Sequence, residues 1–218
     1  MMKNVAVAPH ERAEILIFFG LVGAIGCFAP ILTTIWSALV AEHDFIASTL
    51  SDLGRGPHKI IMDVGFYICA CGLVSLAIAA AHVPMGGLGW SVGILCLATL
   101  ALLVSMIGLF DQFKNEVEPG ETYSVHTWIS FGLGPLYLIG PLGMARGAAR
   151  LSRLYAVLFV LAAVIWIVFA GWYLMAPTAY DGIIEKTAIF GTLLWTTPLA
   201  YIFVDRGRCI LNKDPAAG

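Results

Sequence analysis

Residues 88–110 read LGWSVGILCLATLALLVSMIGLF, an unbroken run without Asp, Glu, Lys or Arg. As a helix rising about 1.5 Å per residue, this run covers about 34 Å, enough to cross about 30 Å of bilayer hydrocarbon. Working outward, comparable runs fall at 14–40, 60–82, 124–145, 154–176 and 184–204. An all-α, polytopic integral membrane six-helix bundle is therefore expected. Composition agrees, since 60% hydrophobic and 12% charged residues in 218 lie far from soluble averages of about 45–50% and about 25%. The first run is longer than a signal-peptide core and follows Lys3 and Arg12, so it reads as a retained helix. The expected divisions are a cytoplasmic segment at 1–13, the bundle at 14–204 and a cytoplasmic tail at 205–218.

Charge sorts between the links. The N-terminus, the second and fourth links and the C-terminus carry Lys3, Arg12, Arg146, Arg150, Arg153, Arg206, Arg208 and Lys213, eight of the twelve Lys and Arg. The positive-inside rule then places both termini in the cytoplasm. The other three links and the span mouths beside them hold ten of the fourteen acids. Asp52, Asp63, Asp111, Glu118, Asp181 and Glu185 are among these, together with His43, His58 and His126. Helical rather than alternating periodicity favours a bacterial inner (plasma) membrane over an outer membrane.

Several classes lose support. Cys27, Cys69, Cys71 and Cys96 lie inside spans and Cys209 in the tail, so disulfides bracing the links are not expected. Basic residues spread along one rim suit headgroups and topology, and no nucleic-acid partner is expected. No cofactor is expected either, because a haem or retinal site would need ligands at mid-membrane. Trp36, Trp90, Trp128, Trp166, Trp172 and Trp195 fit interface belts and bundle filling. Gly20-Leu-Val-Gly23 and Gly132-Leu-Gly134-Pro135 predict close helix approach, with Pro135 and Pro141 able to kink the fourth span.

Polar chemistry concentrates in the odd-numbered links. Ser51-Asp52-Leu53-Gly54-Arg55-Gly56-Pro57-His58 predicts either a capped surface turn or a headgroup site built from Ser51, Asp52, Arg55 and His58. Asp63, about one turn inside the second span, requires a partner such as Arg55 or Lys59. Asp111 closes the third span. His126 opens the fourth after Glu116, Glu118 and Glu121, at the same boundary, as either an interfacial hydrogen-bonding residue or an acid–base group. Thr178 and Asp181 have capping-box spacing before the sixth span. Of the adjacent pair Glu185 and Lys186, Glu185 is expected to turn inward and Lys186 to reach outward. No two histidines share an i, i+4 spacing, and no HExxH-like pair occurs, so spacing supports no metal centre. A hydrolytic triad of Ser51, His126 and an acid can be drawn, but no Gly-x-Ser-x-Gly turn supports it.

Three of these stretches also carry a resemblance. Ser51-Asp52-Leu53-Gly54, then Gly108-Leu109-Phe110-Asp111 followed by His126, then Gly182-Ile183-Ile184-Glu185-Lys186 resemble the pattern of bacterial six-span proteins of domain-of-unknown-function family 998. Those in turn resemble eukaryotic FRAG/DRAM-type membrane proteins. Lys186 stands where the pattern has arginine, and no proline precedes Asp111. The resemblance implies lipid handling, with Ser51, Asp52, Asp111, His126 and Glu185 as the matching positions.

The function expected from these observations is binding or modification of a lipid headgroup at the outer leaflet. His126, Asp111 and Glu185 would be its acid–base residues, and Ser51, Asp52, Arg55, His58 and Asp63 its ligand contacts. Membrane lipids are the expected partners, with membrane proteins as further partners if the chain is instead a scaffold or assembly subunit. A small-solute carrier is a weaker alternative, because mid-span positions hold almost no ionisable residue.

Overall fold

A computed structural model of the protein describes residues 11–113, 117, 120, 122–175 and 178–212. Lys3, Lys213, Glu116, Glu118 and Glu121 lie outside the described residues, as does the side chain of Thr178. Among the described residues, eight α-helices occur in the order α1 (Ala13–Val40), α2 (Leu50–Leu53), α3 (Lys59–His82), α4 (Leu88–Phe110), α5 (Val125–Ala148), α6 (Arg153–Tyr173), α7 (Asp181–Gly191) and α8 (Leu193–Leu211). Short 3-10 turns occupy Asp111–Phe113 and Thr178–Tyr180. Six units among the described residues are long and apolar enough to cross a membrane, with α7 and α8 forming the sixth together.

Consecutive spans are neighbours, and α8 returns against α1 to close the ring. Small residues make this closure possible. A methyl on Gly26 of α1 would stand 2.5 Å from the Gly72 Cα of α3, so these backbones touch with no room for any side chain between them. The Leu76 side chain of α3 packs directly on Gly23, and the Val204 side chain of α8 packs on Gly20. Gly134 departs from expectation, because nothing lies within 4 Å of its Cβ direction. A side chain there would therefore meet open space rather than a neighbouring helix.

Inside the ring, Trp195, Phe159, Phe203, Leu97, Leu100 and Met144 are fully buried. Outside it, Phe18, Leu21, Ile25 and Leu32 of α1 and Val157, Val164, Ile167 and Val168 of α6 are exposed, as a lipid-facing surface requires. The tryptophans divide accordingly. Trp90, Trp166 and Trp195 fill the interior, and Trp36, Trp128 and Trp172 face outward.

The sixth span begins earlier and ends later than the sequence suggests. It runs from Asp181 to Leu211 and is interrupted at Thr192. There the hydroxyl donates to the Ile189 carbonyl at 2.6 Å, competing with the helix ladder beside a glycine that is pressed against Ile165. Beyond position 204, where a tail was expected, Arg206 is buried. Its Nε and Nη2 donate to Glu11 at 2.7 and 2.9 Å, fastening the segment before α1 to α8. Six crossings place the start of α1 and the end of α8 at this rim. The ends of α1, α4 and α6 and the starts of α3, α5 and α7 therefore share the opposite rim.

Candidate functional site

The first link is built by local capping. Asp44 Oδ1 accepts from the Ile46 and Ala47 amides at 2.8 and 3.1 Å. These amide bonds, Ala47's first, hold its carboxyl below the usual range. Thr49 and Asp52 then form a reciprocal capping box, with Thr49 N donating to Asp52 Oδ2 at 2.7 Å and Asp52 N to Thr49 Oγ1 at 3.2 Å. This box nucleates the short helix α2, which carries Ser51. Asp52 also pairs with the Arg55 guanidinium. The capped-turn expectation for Asp52 is what its geometry shows.

Span six holds this link from the side. The first amides of α7, Gly182 N and Ile183 N, donate to the carbonyls of Ala47 and Ile46 at 3.2 and 2.9 Å. A methyl on Gly182 would meet Ser48 C at 2.7 Å and Ile46 O at 2.8 Å, so only glycine permits that approach. Glu185 Oε2 accepts from Leu50 N, at the start of α2, at 2.7 Å. Lys186 corrects the expectation of an outward lysine, because its side chain is 1% exposed. Its Nζ donates to Ser48 O at 2.6 Å and Phe45 O at 3.1 Å, and lies 4.6 Å from the Phe45 ring centre. Glu185 is the less buried of the two. The reason is the folded link: its backbone carbonyls point at α7 and give the ammonium an interior destination that helix periodicity alone does not reveal.

Ser51, His126 and Asp111 meet at the centre of this arrangement. The Ser124 hydroxyl caps α5 by accepting from Thr127 N at 3.3 Å, which places His126 in the first turn. His126 Nε2 lies 3.2 Å from Ser51 Oγ, and Nδ1 lies 2.8 Å from Asp111 Oδ1. The second separation is an ion-pair distance, and the ring N–H is not aligned for a straight hydrogen bond to that oxygen. All three side chains are buried, with Asp111 wholly so. Gly54 backs Asp111, since a methyl there would stand 2.8 Å from Asp111 Cγ and 2.9 Å from its Cβ. Ser130, one turn along α5, donates to the His126 carbonyl at 2.9 Å and stands 3.4 Å from Nε2.

The remaining candidates occupy other places. Asp63 is bound by Lys59 Nζ at 2.5 Å, and its second oxygen is buried without a hydrogen-bond partner among the described residues. Arg55 and His58 line an open cleft of about 340 Å³ with His43, Ser48, Asp52 and Leu53. Arg55 Nε and His43 Nε2 are buried without hydrogen-bond partners among the described residues. A second void, of about 30 Å³, lies deep in the bundle between Cys27, Cys69, Tyr137 and Thr196, away from this polar chemistry. Among the described residues no three His, Cys, Asp or Glu side chains group as a metal-ligand set.

The structure thus joins Ser51, Asp111 and His126 directly, joins Asp52 and Glu185 to them through the backbone of α2, and leaves Asp63 engaged with Lys59. Sequence reading missed Thr49, Ser130 and the inward Lys186, and read Gly54 only as part of its turn motif. Thr49-x-x-Asp52 has a capping-box spacing from which the first was legible.

These features define an integral membrane protein whose described residues form a helical bundle of six spans, with a buried serine–histidine–aspartate cluster at the rim opposite the start of α1 and the end of α8. The chain belongs to the family described as "Protein of unknown function (DUF998)", which matches residues 21–201 and so takes in every element of the site. No curated protein and no solved structure matches it significantly.

Proposed function

We propose that this protein binds or modifies a membrane-lipid headgroup at the rim bearing Ser51, Asp111 and His126. One observation carries the reading: a buried imidazole touches a buried hydroxyl on one side and a buried carboxylate on the other at a membrane boundary, beside an open polar cleft. Burial of such groups strengthens their interactions and suits them to proton transfer. In the cleft, Arg55 Nε as a donor and His43 Nε2 as a donor or an acceptor, according to its tautomer, supply polar atoms for a headgroup. The arginines at the other rim, Arg12, Arg146, Arg150, Arg153, Arg206 and Arg208, support a cytoplasmic placement for the termini and an outer-leaflet placement for the site, in a bacterial inner membrane. Resemblance to FRAG/DRAM-type proteins supports lipid handling by analogy.

Comparative lipidomics of a deletion strain complemented with wild type or His126→Ala tests the proposal. A lipid change restored by wild type and not by the variant, at equal membrane abundance, is the expected result. Identical lipid profiles in all strains would sink it.

A second reading, a non-catalytic scaffold, is favoured by a specific observation: Asp52, Glu185 and Lys186 all bind this chain's own backbone. Co-purification with a larger membrane complex at fixed stoichiometry, unaffected by His126→Ala, would select it.

A further inference from the structure

We infer that Ser51 is a nucleophile that forms a covalent acyl-enzyme with the carboxylic ester of a membrane lipid, with His126 as its base and Asp111 as the positioning residue. The substrate class rests on the lipid reading above. The nucleophile assignment rests on geometry alone.

The order of contacts is the first argument. Oγ of Ser51 meets Nε2 of His126, and the opposite ring nitrogen meets the Asp111 carboxylate. A proton on Nδ1 is favoured by that carboxylate, which leaves the Nε2 lone pair for the serine proton. Serine activation through an oriented imidazole recurs on unrelated folds and is recognised by these roles rather than by sequence order. The 3.2 Å separation and the oblique Nδ1 contact suit a resting site that tightens around substrate.

Two hydroxyls approach Nε2, and geometry selects one. Ser130 Oγ is the farther, at 3.4 Å, and already donates to the His126 carbonyl one turn back. Ser51 Oγ is the nearer and is held by α2, which is fixed by the Thr49–Asp52 box and by Glu185. Depth supplies the substrate class. Tyr123, Trp128 and Phe131 form a mutually edge-on cluster, with ring centres 5.3 to 5.9 Å apart, around the same turn of α5. All three are exposed. Such rings settle at the boundary between hydrocarbon and headgroups, where glycerolipid ester carbonyls lie. Ser48 and Asp52, which bracket Ser51 in the chain, line the open cleft and give the headgroup a place to rest.

The step balances without an oxidant or reductant. Ser51 Oγ bonds to the ester carbonyl carbon as His126 Nε2 takes the hydroxyl proton. The tetrahedral adduct then collapses, its carbon–oxygen bond to the lipid alcohol breaks, and His126 returns the proton to that alcohol. Water, or the hydroxyl of a second lipid, attacks the acyl-serine with His126 again as base, releasing a fatty acid or a newly acylated lipid and restoring Ser51.

The test uses the full chain in nanodiscs with a reporter-tagged fluorophosphonate, read by peptide mass spectrometry. The expected result is an adduct on Ser51 that is lost in Ser51→Ala, retained in Ser130→Ala, and slowed about 10²-fold or more in His126→Gln. Asp111→Asn should slow it by about 10²–10⁴ and alter its pH profile. Ser51→Cys adds an independent reading: iodoacetamide should modify this thiol with a midpoint below the ordinary value of about 8.5, and His126→Gln should abolish that shift. A monodisperse wild type with no Ser51 adduct, labelling indifferent to His126→Gln, or labelling on Ser130 overturns the inference. A lipid change that survives Ser51→Ala also overturns it, while leaving the lipid reading intact. An adduct on Ser51 without any lipid change upholds the nucleophile and removes the lipid reading.

Discussion

Replacing Lys186 with methionine probes the support on which the site stands. The side chain is 1% exposed, and its ammonium bonds two carbonyls of the first link at 2.6 and 3.1 Å while lying over the Phe45 ring. A hydrogen bond to a charged group contributes about 1.5–3 kcal/mol, and a cation–ring contact about 0.5–2 kcal/mol. Methionine fills much of the same volume but loses all three contacts and leaves Ser48 O and Phe45 O without that donor. Against this loss stands relief from burying an ammonium, several kcal/mol after relaxation. The net expectation is a destabilisation of about 2–4 kcal/mol. For a chain of this size each kcal/mol shifts the midpoint by about 2–4 °C, giving a fall of about 5–15 °C. Thermal unfolding followed by tryptophan fluorescence in mild detergent measures it, and limited proteolysis should show cleavage between residues 42 and 49. Lys186→Arg supplies donors to the same carbonyls and should keep most of the stability. If Lys186→Met melts within about 2 °C of wild type and the link resists protease equally, the clamp does not hold the link.

Three further predictions address separate parts of the structure. Gly54→Ala would place a methyl 2.8 Å from Asp111 Cγ, against ordinary carbon contacts of about 3.5–4.0 Å. The carboxylate must therefore retreat, destabilising by about 1–3 kcal/mol and slowing Ser51 labelling by about 10²-fold. Arg206→Met alone should cost about 3–5 kcal/mol by removing the guanidinium that donates to both oxygens of buried Glu11, and Arg206→Met with Glu11→Leu should recover much of that in thermal melts. His43 is held below its ordinary pKa first by burial and then by the Lys186 charge, against the pull of Asp52 and Asp44. Between its folded value and about 6.5 the unfolded chain binds more protons. Stability from this group is therefore complete above about 6.5 and lost as pH falls through the folded value. Midpoints measured from pH 7.5 to 5 should show that loss in wild type and a weaker one in His43→Gln.

Hydropathy was sufficient for the six crossings because lipid must be met by apolar side chains over a fixed thickness, and such runs survive any detail of packing. Their ends were less legible. Charged residues near a rim do not stop a helix, so α5 continues through Gly147 and Ala148 against Met85 and Trp90, and α8 continues past Arg206, whose charge is matched by Glu11. The interruption at Thr192 was hidden for a different reason. It depends on a hydroxyl capturing the Ile189 carbonyl, an event that leaves the apolar pattern unchanged.

The site was legible as a rim and illegible as a set of contacts. Asp111, His126, Ser51 and Glu185 sit at span mouths, and six antiparallel crossings bring alternate mouths to one end, so their shared level follows from counting. Which of them touch is decided by how one folded link lies across that end. Its position is set by the Thr49–Asp52 box, by the bare backbone of Gly182 and by Lys186. None of these gives a periodic signal. Capping and clamping explain why Asp52, Glu185 and Lys186 are polar, but they leave His126 and Asp111 unexplained. Ser124 caps α5 and the Thr49–Asp52 box caps α2, and a buried ionisable pair is often no better for stability than apolar residues of the same size. Stability alone does not call for an imidazole between a serine and an aspartate, whereas an oriented base beside a hydroxyl requires that order of groups.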